Sequence, residues 1–306
     1  MTKILVTGAG GLVGHAVCRR LQAARRPFVA IDLRAANDDG VSVMAVDVTD
    51  IHRLYAFFDA QGPFDAIVHC GALSGPMLAR DNPVLLHSVN VNGTVNVLEL
   101  ARLRSVRRVV FCSSVSAYGD TPAGLSPVTE DAPLRPSSVY GATKAACEAI
   151  AHGYAIQHGV DTLSMRLGWV YGPRRTTDCD IRDMILSGLR GEVFRRPFGA
   201  VTMRQYVHVD DVARALLLAV DAAGLPRRAY TINGGSYLAL PEVAAIVGRS
   251  VPGLVTEFGV SCDPDEDTQA RFDLSSARDE LGYDAAIRLE EGTATYTAWL
   301  RSKTGG

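Results

Sequence analysis

Short apolar runs alternate with longer segments in which apolar residues recur every three or four positions. The segments predict helices, and the strongest lie at Leu12 to Ala24, Ile51 to Phe58, Asn92 to Leu103, Tyr140 to Gln157 and Val209 to Val220. The runs predict strands, at Ile4 to Val6, Phe28 to Asp32, Val41 to Val46, Ala66 to Cys70, Val109 to Cys112 and Thr162 to Leu167. Continuous apolar strands that alternate with helices are typical of a parallel sheet covered on both faces. We therefore predict an α/β fold with a doubly wound, Rossmann-type parallel sheet, which binds ligands at the carboxyl ends of its strands.

The composition of the chain changes after residue 170, where Pro, Gly and Arg become frequent and the periodic apolar segments become shorter. We predict that residues 1–170 form the Rossmann domain and that residues 171–306 form mostly a smaller, substrate-binding lobe. The two are interleaved, because a late apolar run near residues 229–233 is expected to return to the sheet.

A glycine-rich turn follows the first predicted strand directly. Gly8, Gly11 and Gly14 permit a tight turn from strand to helix, close approach of the backbone to a ligand, and close packing of the helix on the strand. The free N–H groups of the helix N-terminus then point at an anion, so the turn predicts a pyrophosphate site. Asp32, at the end of the second strand, stands where a carboxylate can accept hydrogen bonds from the ribose hydroxyls of an adenosine.

Composition excludes several other classes of function. The chain has 306 residues, 47% of them hydrophobic, with a formal net charge of -2, so it offers no basic surface for nucleic acid or membrane. No membrane span or signal peptide is evident, and we expect a cytoplasmic protein. The cysteines lack a C-x-x-C pair and no acidic or histidine cluster has metal-ligand spacing, so reduced thiols and no metal site are expected. The six cysteines are Cys18, Cys70, Cys112, Cys147, Cys179 and Cys262.

A phenol and an ammonium group are spaced for joint chemistry at Tyr140 and Lys144. Four residues apart on a helix, they share one face, and a lysine beside a phenol stabilises the phenolate and favours its use as a base. Upstream, Ser113, Ser114 and Ser116 follow the end of a predicted strand, where a hydroxyl can bond a substrate oxygen or simply form a turn.

Together these motifs resemble the extended short-chain dehydrogenase/reductases, in the group of NAD-dependent sugar epimerases and dehydratases. The resemblance spans the chain. Its motifs are the glycine turn, Asp32, Asp47-Val48, the Asn90 to Thr94 segment, the Ser-Ser-x-x-x-Tyr-Gly run from Ser113, Tyr140-x-x-x-Lys144, and the patterns at Arg204 to Ala213 and Asp273 to Tyr283.

The resemblance implies a role for each motif and a homodimer that forms through the helices near Asn92 to Leu103 and Tyr140 to Gln157. Tyr140 would be the catalytic acid/base, Lys144 would hold the nicotinamide ribose, and Ser114 would polarise the reacting oxygen. NAD is favoured over NADP because Asp32 would repel a 2′-phosphate. The implied cofactor-binding residues are Gly8, Gly11, Leu12, Val13, Gly14, Asp32, Asp47, Val48, Ala72, Leu73, Tyr140 and Lys144.

The net reaction depends on what surrounds the serine and anchors the substrate. Val115-Ser116 replaces the Asp-Glu pair that follows the serine in the family's dehydratases, which argues against dehydration. Arg204 matches an arginine that contacts the substrate diphosphate, whereas Trp169 replaces an asparagine that is normal in nucleotide binding. The first hypothesis is a C4-type epimerase of a nucleotide sugar.

An alternative rests on features that resemble the uronate dehydrogenases, which oxidise a small free sugar acid and release NADH. These features are Arg166-Leu167-Gly168, Ser74, and the Asp180 to Met184 segment. Arg182 or Arg174 would then pair with a substrate carboxylate. A catalytically silent NAD-binding sensor is a third hypothesis, and the intact Ser114, Tyr140 and Lys144 argue against it. Across these alternatives the candidate substrate-binding residues are Ser74, Ser114, Trp169, Arg182 and Arg204.

Overall fold

Eight strands form the central sheet of the computed structural model, which describes residues 3–261 and 267–304. All neighbouring strands are parallel except the last pair, β4 and β3, which form an antiparallel edge hairpin. In order across the sheet the strands are β12 (Ala229–Ile232), β7 (Thr162–Leu167), β6 (Arg108–Ser114), β5 (Ala66–His69), β1 (Ile4–Thr7), β2 (Phe28–Asp32), β4 (Val41–Ala45) and β3 (Ala36–Asp38).

Helices cover both faces of this sheet. Those that pack on it are α1 (Leu12–Ala23), α2 (Ile51–Gln61), α4 (Gly93–Leu103), α5 (Val139–His158) and α7 (Val209–Asp221). Alternate strand residues point to opposite faces, so Val6 joins one apolar cluster with α1 and α7, whereas Leu5 joins another with α2, α4 and α5. The predicted doubly wound Rossmann-type sheet is confirmed, and these five helices depart from their predicted bounds by three residues at most.

The remaining elements include three small sheets, several of whose strands flank the carboxyl end of the main sheet. Strand β8 (Trp169–Tyr171) pairs with β11 (Tyr206–His208), β9 (Val193–Phe198) pairs with β14 (Val255–Ser261), and β10 (Met203–Arg204) pairs with β13 (Leu238–Ala239). The helices not yet named are α3 (Pro83–His87), α6 (Asp180–Arg190), α8 (Leu240–Ser250), α9 (Ser275–Leu281) and α10 (Leu289–Thr304).

A separate apolar cluster holds α6, α8 and α10 together with these small sheets. Periodicity did not predict those helices. Pro241 lies in the first turn of α8, where a backbone N–H would have no partner within the helix, so a proline is tolerated there. In the part of the chain that is rich in Pro, Gly and Arg, this proline therefore marks the start of a helix. The late apolar run near Tyr230 lies at the sheet edge as β12, parallel to β7.

Local sequence explains the start and end of α5, the helix that carries the tyrosine and lysine motif. The Ser138 hydroxyl accepts a hydrogen bond from the Gly141 N–H at 3.1 Å and caps the helix N-terminus. At the other end Gly159 adopts φ 67°, the left-handed conformation that commonly terminates helices. Among the described residues, no helix is both long and apolar enough to cross a membrane.

Candidate active site

The glycine turn brings α1 unusually close to the ends of β1 and β5. A Cβ atom at Gly14 would lie 2.2 Å from the Gly8 carbonyl oxygen, and one at Gly8 would lie 2.5 Å from the Gly71 nitrogen. Gly8 also has φ +66°, which side chains disfavour. The turn therefore needs glycine at these two positions, and it presents its backbone to the space above the sheet.

One cavity of about 350 Å³ joins this turn to the tyrosine motif at the carboxyl ends of the strands. Val115 and Ser116 also contribute to its wall, and no Asp or Glu is among its described lining residues. The acid and base that a dehydratase would need beside Ser114 are therefore missing from this wall. The predicted site residues that line the cavity are Gly8, Gly11, Leu12, Val13, Gly14, Ala72, Ser74, Ser114, Tyr140, Lys144 and Trp169.

The helix α5 sets Tyr140 and Lys144 against the cavity. Gly141 allows this approach, because a Cβ atom there would lie 2.2 Å from the Ser116 carbonyl oxygen. The Tyr140 hydroxyl lies 3.4 Å from the Ser74 hydroxyl, and Ser114 accepts a hydrogen bond from the Ser116 N–H at 3.1 Å. Tyr140, Lys144 and Ser114 are 6%, 3% and 8% exposed, so water has little access to them.

Lys144 is held in a fixed position beneath the tyrosine ring. Its Nζ donates to the Cys112 carbonyl oxygen at 2.8 Å and lies 5.8 Å from the centroid of the Tyr140 ring. Burial, together with the Lys144 charge, lowers the pKa of His69 to about 3. His69 is therefore neutral, and its ring bonds the hydroxyls of Thr7 at 2.6 Å and Thr94 at 3.1 Å as a packed structural group.

A buried ion pair behind the cavity connects α5 to two strands. Arg166 of β7 donates through Nη2 to Glu148 of α5 at 2.7 Å, and its Nε donates to both carboxylate oxygens at 3.0 Å. Glu148 also accepts a hydrogen bond of 2.5 Å from Ser113 of β6. Glu148 lies one turn beyond Lys144 and Ser113 precedes Ser114, so this network fixes the helix relative to the strand that carries the serine. Sequence reasoning assigned no role to Glu148 or to this pairing.

The other predicted cofactor residues lie outside the cavity lining. Asp32 accepts hydrogen bonds from the backbone N–H of Gly10 at 2.9 Å and of Leu33 at 2.7 Å, which places its carboxylate beside the glycine turn. Asp47 accepts from the Thr49 N–H and hydroxyl, both at 2.8 Å. Val48 and Leu73 have their backbone carbonyls bonded by the amides of Asn96 and Asn90.

The arginines proposed for the substrate are placed differently from one another. The Arg204 guanidinium is buried and stacks 4.2 Å from the centroid of the Trp169 ring, so it lies behind the cavity wall. Arg204 lines a neighbouring cavity of about 130 Å³ with Tyr206 and Arg288. Arg182 lies on α6, pairs with Asp183 at 3.1 Å and does not line the cavity that contains Tyr140.

Sequence reasoning missed two segments that complete the cavity, Gly75 to Leu78 and Arg175 to Thr177. Both are loops without periodicity, so only their position after a strand end could have signalled them. Arg174, a suggested carboxylate ligand, instead contacts Asp38 of β3 and lowers the pKa of that carboxyl group below its ordinary value.

One group in the described part of the chain has spacing suited to a metal ion. Ligand atoms of His15, Asp38 and Asp39 all lie within 4.8 Å of one another. The Arg174 guanidinium already compensates the Asp38 charge.

The chain matches a known protein family. Residues 4–233 match the NAD dependent epimerase/dehydratase family. The chain belongs to this family. As a member of the epimerase/dehydratase family the protein is an NAD-dependent enzyme, and the family and cofactor predicted from sequence are confirmed.

Relatives of full length occur within the epimerase/dehydratase family. The UDP-glucose 4-epimerase of Mycolicibacterium smegmatis (strain ATCC 700084 / mc(2)155) is 30% identical over 99% of each chain. The dTDP-glucose 4,6-dehydratase of Streptomyces griseus is also 30% identical, over 97% of this chain and 94% of that protein. The structure of the Thermus thermophilus UDP-glucose 4-epimerase in complex with NAD superposes with a TM-score of 0.87 at 26% identity, over 98% and 99% of the two chains.

Proposed function

We propose that the protein is a nucleotide-sugar 4-epimerase that retains its NAD throughout the reaction. The observation that carries this proposal is the single cavity in which the glycine turn meets Ser74, Ser114, Tyr140 and Lys144. Two full-length relatives bear the name UDP-glucose 4-epimerase, which supports a nucleotide sugar as the substrate.

The residues present fit an NAD molecule. The free N–H groups of the glycine turn would bind the pyrophosphate, Asp32 would accept hydrogen bonds from the adenosine ribose, and Lys144 would hold the nicotinamide ribose. NAD supplies reversible hydride acceptance at the sugar carbinol.

The side chains of the cavity would carry out the proton transfer. Tyr140 would take the hydroxyl proton of the sugar at its phenolic oxygen and later return it, while the fixed positive charge of Lys144 stabilises the phenolate. Ser114 would donate to the carbonyl oxygen that develops, and Ser74 could bond the Tyr140 oxygen from 3.4 Å away. The low exposure of these groups excludes water from the step and strengthens each electrostatic contact.

The nucleotide part of the substrate would extend out of the cavity past Trp169. The neighbouring cavity carries two guanidinium groups, from Arg204 and Arg288, which suits an anionic diphosphate. Such an anchor would keep the ketone intermediate bound while its sugar ring rotates in the site, before the hydride returns.

The test is incubation of the purified protein with UDP-glucose, UDP-galactose and UDP-glucuronate, with separation of the sugar products and simultaneous measurement of NADH absorbance. We expect the C4 epimer of at least one substrate without net NADH. Stoichiometric NADH with a free uronic acid, and no epimer from any nucleotide sugar, would refute the proposal in favour of the dehydrogenase alternative.

We also propose that the protein is a homodimer in the cytoplasm. The exposed apolar side chains Leu103 of α4 and Val139 and Ile156 of α5 lie on the helices expected to form the dimer, which supports that contact. All five described cysteines are free, and Cys70 and Cys112 remain unbridged with Sγ atoms 3.4 Å apart, as suits a reducing compartment. Sedimentation equilibrium of the wild type and of I156K would test the dimer, and a monomeric wild type would refute it.

A further inference from the structure

The segment 172–178, which lies between β8 and α6, contributes to the wall of the cavity that the glycine turn also lines. Arg175, Thr176 and Thr177 line the same cavity as Gly11 and Leu12. A dinucleotide lying along the glycine turn would therefore have this segment as its neighbour. We call it the strap.

Hydrogen bonds attach the strap firmly to β8 and α10. The Arg175 guanidinium donates to the carbonyl oxygens of Val170 at 3.0 Å and Asp178 at 2.9 Å, which ties together the two ends of the strap. The Tyr296 hydroxyl of α10 donates to the Arg175 carbonyl oxygen at 3.5 Å. This side of the strap has backbone anchors that do not depend on the cofactor.

On the other side an ion pair joins the strap to the Rossmann sheet. The Arg174 guanidinium contacts the carboxylate of Asp38, on the edge hairpin that follows Asp32 along the chain. Arg174 has φ 75°, a conformation that costs a residue with a side chain energy unless contacts hold it. The two side chains are 27% and 54% exposed, so the pair can open without unfolding either element.

We propose that the Arg174–Asp38 ion pair is a clasp that holds the strap over bound NAD and slows its release. Arg174 is thus a positioning residue, which acts through Arg175 to Thr177. The inference deepens the proposed function, because an epimerase must return the hydride from the same cofactor molecule that received it. Opening of the clasp would let NADH leave before the return step.

The experiment measures cofactor release from the resting protein, without sugar. Protein loaded with NADH is mixed with a large excess of NAD, and the decay of bound-NADH fluorescence gives the dissociation rate. Because a partly exposed ion pair contributes up to about 1 kcal/mol, we expect R174A and D38N each to release NADH about 2-fold to 5-fold faster. The double variant R174A/D38N should release it no faster than the faster single variant, since both changes open the same clasp.

A matched control comes from Arg26, whose bidentate pair with Asp221 has side-chain exposures of 24% and 55% and joins the end of α1 to α7. R26A should release NADH at the wild-type rate. Melting temperatures measured in parallel report any general loss of stability in the variants. Unchanged release in both R174A and D38N, multiplied effects in the double variant, or equal acceleration in R26A would each overturn the clasp.

The outcome is separable from that of the proposed function. Release rates require only that NADH binds, whereas epimerisation requires a sugar product. A protein that shows clasp-dependent release but no epimer supports the clasp and refutes the epimerase. Epimerisation with release rates independent of Arg174 does the reverse.

Discussion

Removal of the negative charge from Glu148 tests whether the buried network behind the cavity behaves as the contacts indicate. E148Q keeps the size and shape of the side chain. It leaves the Arg166 guanidinium, 7% exposed, without the carboxylate that now accepts three of its hydrogen bonds.

The expected magnitude follows from this burial. Loss of one partner from a buried ion pair costs about 3–5 kcal/mol, because the other charge remains uncompensated. Glutamine can still accept one hydrogen bond through its oxygen, so we expect the lower end, about 3 kcal/mol of the free energy of unfolding. At about 2 °C per kcal/mol for a chain of this size, the melting temperature should fall by about 6 °C.

Urea unfolding followed by circular dichroism, with thermal melting in parallel, measures the loss. The control is E99Q, whose carboxylate makes a similar fork with Arg102 but with side chains 28% and 34% exposed, so that it should lose no more than about 1 kcal/mol. E148L/R166M removes both charges and should be more stable than E148Q by at least about 1 kcal/mol. A loss in E148Q no larger than that in E99Q, or a double variant no more stable than E148Q, would refute the reasoning.

Three further predictions concern the cofactor and the cavity. G14A should abolish NAD binding measured by calorimetry, because the new Cβ atom would lie 2.2 Å from the Gly8 carbonyl oxygen; wild-type affinity would contradict this. Y140F should slow epimerisation by about 10²-fold to 10⁴-fold and leave the NAD content of the purified protein unchanged, and a smaller loss would move the proton transfer to another group. His69 has a pKa of about 3 in the fold against an ordinary value of 6.5, so the unfolded chain is protonated first as the pH falls. The contribution of His69 to the free energy of unfolding is therefore constant above about pH 6.5. Between about pH 6.5 and about pH 3 it lowers that free energy by about 1.4 kcal/mol for each unit by which the pH falls. H69Q should reduce the loss of unfolding free energy between about pH 7.5 and about pH 5, and an unchanged loss would contradict the assignment.

Sequence predicted the parts of the protein that local patterns determine. The glycine turn, the helix α5 with Tyr140 and Lys144 on one face, and the alternation of strands and helices each depend on residues close together in the chain. Such patterns predict the sheet and most of the candidate catalytic residues, because a Rossmann fold brings the ends of its parallel strands to one edge.

The remaining parts depend on contacts between distant residues. The pairing of Arg174 with Asp38 joins positions 136 residues apart, and nothing near either residue signals it. Sequence analysis made both Arg182 and Arg204 candidate anion ligands, Arg204 for a diphosphate and Arg182 for a carboxylate. Only the packing of α6 and the stacking of Arg204 on Trp169 distinguish their positions.

The edge hairpin also has a consequence for aggregation. A parallel sheet that ended at β4 would present a row of unpaired backbone groups to other chains. The strand β3 covers this row with only three residues, all exposed, and it runs antiparallel to β4, ends at Asp38 and is followed by Asp39. A short, charged edge strand offers little length for a neighbouring chain to extend, so the hairpin protects this edge of the sheet against edge-to-edge association.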